Sequence, residues 1–143
     1  MNQMVVVVKA IIIRNGKVLL MRRSDEDQVA AGEWETPGGK IDFGEQLERA
    51  LIREVSEEAG IGITVEKLMY ATTFHTAPDR QIILLSYHCS TDQDTVILSE
   101  EHSAYAWADK EQLAQLLPEA IHDDFHRNGV LKIMDSDSWQ GEK

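Results

Sequence analysis

The fold is decided by the stretch GKIDFGEQLERALIREVSEEAGI, residues 39–61. Apolar residues recur in it at three- and four-residue intervals, as in a helix that buries one face. These residues are Leu47, Ala50, Leu51, Val55 and Ala59. Gly60 follows the last of them, at the position where a left-handed residue commonly ends a helix. The pattern predicts one amphipathic helix from about Glu45 to Ala59, with Glu45 in its first turn.

Three glutamates, Glu54, Glu57 and Glu58, lie along the edge of the predicted buried face. At ~100° per residue, Glu54 and Glu58 fall within about 20° of Leu47 on the helical wheel, and Glu57 about 80° away. Like charges at a buried edge cost free energy unless a cation neutralises them, and carboxylate oxygens suit Mg²⁺ or Mn²⁺. Acid spacing alone is more often a solvated surface. The full spacing of the stretch, with Arg53 and the preceding Gly-Gly, favours a metal site.

Length and composition indicate one soluble globular domain over residues 1–143, since 43% of residues are apolar and 27% charged. The formal charge of −11 argues against binding to nucleic-acid polymers, whose phosphates need a basic surface. A small polyanionic substrate needs only local positive charge. The longest apolar run, residues 4–13, is too short for a membrane span and lacks the flanks of a signal peptide. We therefore expect a cytoplasmic protein that does not bind membranes.

Cys89 is the only cysteine, which excludes an intrachain disulfide and a cysteine-based zinc site. Its position in an apolar run is typical of a small buried strand residue.

The order of predicted elements indicates an α+β fold. Residues 4–13 and 18–22 read as two strands around Asn15-Gly16, a strong hairpin signal. Further strands are predicted over residues 34–36, 63–74, 81–90 and 104–107, helices over 109–117 and 118–127, a loop over 24–33 and a frayed tail over 135–143. Strands on both sides of the central helix, with helices near the C-terminus, predict an α/β/α sandwich with a mixed β-sheet.

The stretch over residues 39–61 resembles the Nudix box, G-x5-E-x7-R-E-U-x-E-E-x-G-U with U a bulky aliphatic residue, and every fixed position matches. The WETPGG approach, Arg22-Arg23, the Pro78-Asp79-Arg80 turn and the YAWADKEQL stretch are similar to the MutT branch of that family. The resemblance implies the Nudix fold and hydrolysis of a nucleoside diphosphate linked to a group X, with Mg²⁺ or Mn²⁺ as cofactor. A nucleoside triphosphate cleaved to monophosphate and pyrophosphate is the expected substrate.

The resemblance also implies roles for the residues of the box. Glu54, Glu57 and Glu58 are the expected metal ligands, together with the backbone carbonyl of Gly39. Arg53 would orient the glutamates by ion pairing. Gly38, Glu45 and Gly60 have supporting roles. Gly38 allows close backbone approach, Glu45 lies at the helix start and Gly60 ends the helix.

Residues outside the box complete the expected site. The MutT branch takes its general base from a glutamate on a loop before a late strand, which corresponds here to Glu100 or Glu101. Arg22, Arg23 and Arg80 are the expected contacts to the substrate phosphates.

One departure from the MutT pattern leaves the substrate open. Enzymes of that branch that remove oxidised guanine nucleotides carry an asparagine near the start of the C-terminal helix, and residues 117–121, LPEAI, contain none. ADP-ribose or a nucleotide sugar is therefore an alternative substrate. A non-catalytic module that senses a nucleotide is a further alternative, but every box glutamate is present, which favours an enzyme. The oligomeric state, homodimer included, is left open.

Overall fold

The structure, a computed structural model, describes residues 1–26 and 30–141, with side chains up to residue 136. Its strands are β1 (Gln3–Arg14), β2 (Lys17–Arg23), β3 (Trp34–Glu35), β4 (Gly38–Lys40), β5 (Thr64–Ala77), β6 (Arg80–Ser90) and β7 (His102–Ala108). Its helices are α1 (Leu47–Ala59), α2 (Lys110–Leu116), α3 (Glu119–Arg127) and α4 (Val130–Gly141).

Strand β1 is the centre of the sheet. In the described ranges the strands form one sheet in the order β3-β2-β1-β6-β5, with β4 paired to β1 and β7 paired to β2. The long β1–β6 pairing is parallel, from Gln3 opposite Arg80 to Ile13 opposite Ser90, and the other pairings are antiparallel. The predicted mixed sheet is therefore confirmed.

Each face of the sheet carries its own hydrophobic core. Alternate residues of β1 point to opposite sides, so Ala10 and Ile12 pack against α1, whereas Ile11 and Ile13 pack against the C-terminal helices. All four side chains are buried. The nearly continuous aliphatic sequence of β1 is thus explained by burial on both faces. The arrangement confirms the predicted α/β/α sandwich.

The first hairpin and helix α1 follow from local signals. Asn15 and Gly16 both have positive φ, 53° and 75°, and join β1 to β2 as predicted. Helix α1 ends at Gly60, which has φ of 68° and donates its N–H to the carbonyl of Ser56. The helix begins at Leu47, so Glu45 lies in the preceding turn and not in the first helical turn. Glu45 is held there because its carboxylate accepts the N–H of Asp42 at 2.7 Å.

The C-terminal segment is more ordered than its sequence predicts. Asp109 begins α2 through a capping box with Gln112, as expected from its position. The prediction of a frayed tail over residues 135–143 is wrong as far as Gly141, because α4 buries Val130 and Met134 one turn apart in the second core. Residues 142–143 lie outside the described residues. So do residues 27–29 of the predicted loop, whose remaining residues form turns.

Two further features of the fold bear on the sequence predictions. Cys89 is buried in β6, and burial raises the pKa of its thiol to about 12, which agrees with a structural residue. In residues 1–26 and 30–141, the helices all fall short of the length and apolarity that crossing a bilayer requires.

Gly38 brings β4 unusually close to β1. It has φ of 149°, and a Cβ built on it would lie 2.0 Å from the carbonyl oxygen of Val8 and 2.8 Å from Cα of Lys9. Both contacts are with backbone atoms, which cannot rotate away. Only glycine fits at this position.

We expect Gly38→Ala to lower the free energy of unfolding by at least ~3 kcal/mol, because the new methyl group separates β4 from β1. Gly44→Ala is the matched control, since Gly44 also has positive φ (90°) but has no atom within 4 Å of a built Cβ. The control should lose only about 1 kcal/mol, the cost of the left-handed backbone. Urea unfolding of both variants measures the difference, and equal losses would contradict the role of close approach.

Candidate active site

Glu58 connects helix α1 to strand β4. Its carboxylate accepts the N–H of Gly38 at 2.8 Å, and the residue is only 7% exposed. Burial raises the pKa of Glu58 to about 7, although the Gly38 hydrogen bond and the positive charge of Lys9 oppose the shift. The nearby negative charge of Glu35 adds to it. A carboxylate that is difficult to ionise therefore lies where the sequence predicts a metal ligand.

The other two box glutamates differ from Glu58 in exposure. The Glu54 side chain is 17% exposed and the Glu57 side chain 59% exposed. Burial raises the pKa of Glu54, against the opposing charge of Arg53. The carboxylate of Glu54 lies against Gly39, where a built Cβ would be 2.6 Å from its Oε2. The three glutamates thus run along one edge of α1, from the interior to the solvent, beside the backbone of β4.

Arg53 binds two carboxylates that precede α1 and two that lie on it. It donates two hydrogen bonds of 2.8 Å to Glu45, one of 3.1 Å to Glu54 and weaker ones of 3.4 Å to Glu57. A further ion pair joins it to Asp42 at 3.5 Å. The hydrogen bonds from Arg53 lower the pKa of Glu45 to about 2, and the pKa of Arg53 is raised in turn. Arg53 therefore fixes the orientation of the glutamates without covering Glu58.

The loop before β7 brings a fourth carboxylate to the site. Ligand atoms of Glu58, Glu101 and His102 all lie within 4.8 Å of one another. The loop is held against the site because Ser99 donates its N–H to the Glu58 carbonyl at 3.3 Å, and Ser24 donates its N–H to the Glu101 carbonyl at 2.9 Å. Of the two glutamates that the sequence left as alternatives, Glu101 belongs to this group. Glu100 does not belong to it.

A buried pair between Glu35 and His102 was missed in the sequence. His102 Nε2 lies 2.9 Å from Glu35 Oε2, and the His102 side chain is 1% exposed. Glu35 also pairs with Lys9 at 3.4 Å and with Arg23 at 3.3 Å. Burial alone would raise the pKa of Glu35, but the His102 hydrogen bond and the two cations lower it to about 2. The available signal was Glu35 itself, a charged residue on a short strand before Gly38.

The three candidate phosphate-binding arginines occupy different places. Arg23 donates hydrogen bonds to Glu35, which in turn is paired with His102 of the Glu58, Glu101 and His102 group. Arg22 donates hydrogen bonds to Ser103 at 3.0 Å and to Asp25 at 2.9 Å. The structure does not bring Arg80 to the glutamates, because it lies at the β5–β6 turn opposite Gln3 and donates to Thr76 at 2.8 Å.

The donor set fits a hard divalent cation. Carboxylates of graded exposure converge beside a glycine backbone, and two of them, Glu54 and Glu58, have raised pKa values because burial disfavours their charge. A cation at this edge would supply the missing positive charge. Fold and site together define an α/β/α protein in which the acidic edge of helix α1 carries oxygen donors suited to a divalent metal.

Comparison with known proteins gives the family. The NUDIX domain profile matches residues 4–128, and the chain belongs to the Nudix family. It is 38% identical over 114 residues to the CTP pyrophosphohydrolase of Escherichia coli K12, covering 79% of this chain and 82% of that protein. It is 33% identical over 136 residues to the nucleoside triphosphatase NudI of Enterobacter sp. 638, covering 87% and 96%.

A solved structure supports the same conclusion. The crystal structure of the MutT protein from Methanosarcina mazei Go1 superposes with a TM-score of 0.79 at 32% identity, covering 88% of this chain and 93% of that one. The protein is therefore a Nudix hydrolase, a divalent-metal-dependent enzyme that acts on nucleoside diphosphates linked to another group.

The raised pKa of Glu58 predicts a dependence of stability on pH. The pKa is 4.5 in the unfolded chain and about 7 in the folded protein. Between these pH values the folded protein keeps a proton that the unfolded chain has released, so this group lowers stability as the pH rises through the window. In EDTA, Glu58→Gln should stabilise the protein at pH 8 by on the order of 2 kcal/mol, and by much less at pH 5.

Glu57→Gln is the matched control, because it removes the same charge from the same helix at an exposed position. Its effect should stay within about 0.5 kcal/mol at both pH values. Urea unfolding at pH 5 and pH 8 provides the measurement. An equal effect of Glu58→Gln at the two pH values would show that its ionisation is not disfavoured by folding.

Proposed function

We propose that the protein hydrolyses nucleoside triphosphates to nucleoside monophosphate and pyrophosphate, with Mg²⁺ or Mn²⁺ bound by the box glutamates. The observation that carries the proposal is the edge formed by Glu54, Glu57 and Glu58 beside Gly39, with Glu101 facing Glu58. Two similar proteins, named a CTP pyrophosphohydrolase and a nucleoside triphosphatase, support this substrate class.

In this proposal the glutamates and the Gly39 carbonyl hold the cation, and Arg53 keeps the glutamates in position through its ion pairs. A cation held by these residues would lower the pKa of the attacking water and neutralise charge on the phosphate oxygens. Glu101 is the general base, because it is an exposed carboxylate next to the buried Glu58 and can accept a proton from water. Hydrolysis adds one water across the phosphoanhydride bond and releases one proton.

We assign contacts with the substrate phosphates to Arg22 and Arg23. These arginines lie at the end of β2, where the strand pairs with the start of β7 at His102. Arg80 is left out of this assignment, because its hydrogen bond is to Thr76 in the β5–β6 turn. Arginine guanidinium groups bind phosphate oxygens through paired hydrogen bonds, and a cation at the glutamates would neutralise further phosphate charge.

For the base, CTP is our first candidate. The similarity to a CTP pyrophosphohydrolase supports a pyrimidine nucleotide, and the chain carries no asparagine in residues 117–121 to read a purine edge. The test is a panel of the ribonucleoside and deoxyribonucleoside triphosphates, ADP-ribose and a nucleotide sugar, assayed for released pyrophosphate or phosphate with Mg²⁺ and with Mn²⁺. Full activity in excess EDTA would overturn the metal mechanism. Activity confined to ADP-ribose or the sugar would overturn the substrate class.

Glu57→Gln should lower kcat by on the order of 10²-fold, since it removes one electrostatic contact that the transition state needs. Because Glu57 is the most exposed of the three glutamates, the fold should be retained, which circular dichroism will check. Glu48→Gln, an exposed glutamate in the first turn of α1, is the control and should remain within about threefold of the unmodified enzyme. A similarly small effect for Glu57→Gln would remove it from the ligand set.

Discrimination among purines should be weak. A site that reads a base edge by hydrogen bonds can discriminate by several kcal/mol, whereas stacking on apolar groups discriminates weakly. We expect kcat/KM for 8-oxo-dGTP to exceed that for dGTP by less than about a hundredfold, equivalent to ~2.7 kcal/mol. Competition assays at one Mg²⁺ concentration measure this ratio. A preference of about a thousandfold would mean that another residue reads the purine edge.

A further inference from the structure

The ring of His102 has one nitrogen that the proposed reaction does not use. Nδ1 is buried and has no hydrogen-bond partner among the described residues. A buried ring nitrogen without a partner is costly, and such groups are rare in folded proteins. The nitrogen belongs to a side chain that is 1% exposed. This nitrogen therefore needs a ligand that the described residues do not supply.

The other ring nitrogen fixes the chemical state of Nδ1. Glu35 accepts hydrogen bonds from Lys9 and Arg23, as an ionised carboxylate does. An ionised carboxylate can only accept, so His102 Nε2, at 2.9 Å from Glu35, is the donor. In the neutral ring the proton is then on Nε2 and the lone pair is on Nδ1. A carboxylate that orients a histidine in this way is the usual support of a metal-binding imidazole.

Two carboxylates complete the group. A ring nitrogen of His102 and carboxylate oxygens of Glu58 and Glu101 lie within 4.8 Å of one another. Three ligands at ~2.1 Å from one ion can lie about 3.6 Å from one another, so the three groups need to close by no more than roughly 1.2 Å. One oxygen of Glu58 accepts the Gly38 N–H, which leaves the other for an ion. Glu101 is exposed and provides the route from solvent.

We propose that Glu58, Glu101 and His102 bind a divalent transition ion through two oxygens and the Nδ1 nitrogen, as a site distinct in chemistry from the all-oxygen edge formed by Glu54 and Glu57. Imidazole nitrogen favours first-row transition ions, whereas Mg²⁺ prefers oxygen ligands and keeps most of its water. The site is therefore selective for ions such as Mn²⁺ over Mg²⁺. It shares Glu58 with the proposed catalytic edge and Glu101 with the proposed general base, so the proposal concerns the nucleotide-free protein, in which cation binding requires no substrate or turnover.

The test is the electron spin echo of Mn²⁺ bound to the nucleotide-free protein, with all sites filled. Coordination by His102 gives ¹⁴N modulation in the unmodified protein. His102→Gln should abolish this modulation, because the glutamine amide can replace Nε2–H toward Glu35 but offers no nitrogen ligand at the Nδ1 position. The control is His126→Gln, an exposed histidine on α3, which should retain the modulation.

Titration of free Mn²⁺ by its solution spectrum gives the second measurement. His102→Gln should weaken one Mn²⁺ site by at least about tenfold and change Mg²⁺ affinity by much less, the scale expected when a metal loses a ligand or its support. Absence of ¹⁴N modulation in the saturated unmodified protein would overturn the proposal, whether or not the variant folds. Modulation that persists in a folded His102→Gln variant would overturn it as well. Absence of hydrolysis by the unmodified protein would count against the proposed function and not against this metal site.

Discussion

The hydrogen bond from the Gly38 amide to the buried carboxylate of Glu58 is the contact on which the site depends. It joins a strand that is pressed onto the backbone of Val8 to a helix that packs on the same face of the sheet. The position of the acidic edge relative to β4 is thereby set by the core and not by the flexible ends of side chains. Side chains supported in this way hold their geometry before a ligand binds, which reduces the reorganisation that binding requires.

Charge in the site is unbalanced. Arg53 neutralises the charge of Glu45 and part of the charge of Glu54 and Glu57. The lysine near Glu58, Lys9, is already paired with Glu35. Repulsion between these carboxylates lowers the free energy of unfolding. A cation that binds between them would raise it again. In the proposed mechanism a bound cation would reverse the local sign of the potential, so that a chain with a net charge of −11 could bind a polyphosphate.

Local periodicity was sufficient to predict helix α1 and its glutamates, because helical spacing alone determines which side chains share an edge. The sheet was predictable because strand β1 is aliphatic on both faces and ends in an Asn-Gly turn. The Glu35–His102 pair was not predictable, since its partners are 67 residues apart and meet only through the pairing of β3 and β7 with β2. Helix α4 was missed because residues 135–138, DSDS, are weak helix formers that tertiary packing of Met134 overrides.

The parallel pairing of β1 with β6 has a consequence for synthesis on the ribosome. The ribosome synthesises β1 before β6, so the edge of β1 that pairs with β6 has no partner until residues 80–90 have been made. During that interval the run MVVVVKAIII is an exposed aliphatic edge, the kind of segment that pairs with other nascent chains. Lys9 interrupts the run with a charge that opposes such pairing. In the folded protein Lys9 forms an ion pair with Glu35. One residue therefore opposes aggregation of the nascent chain and later contributes a charge next to the site.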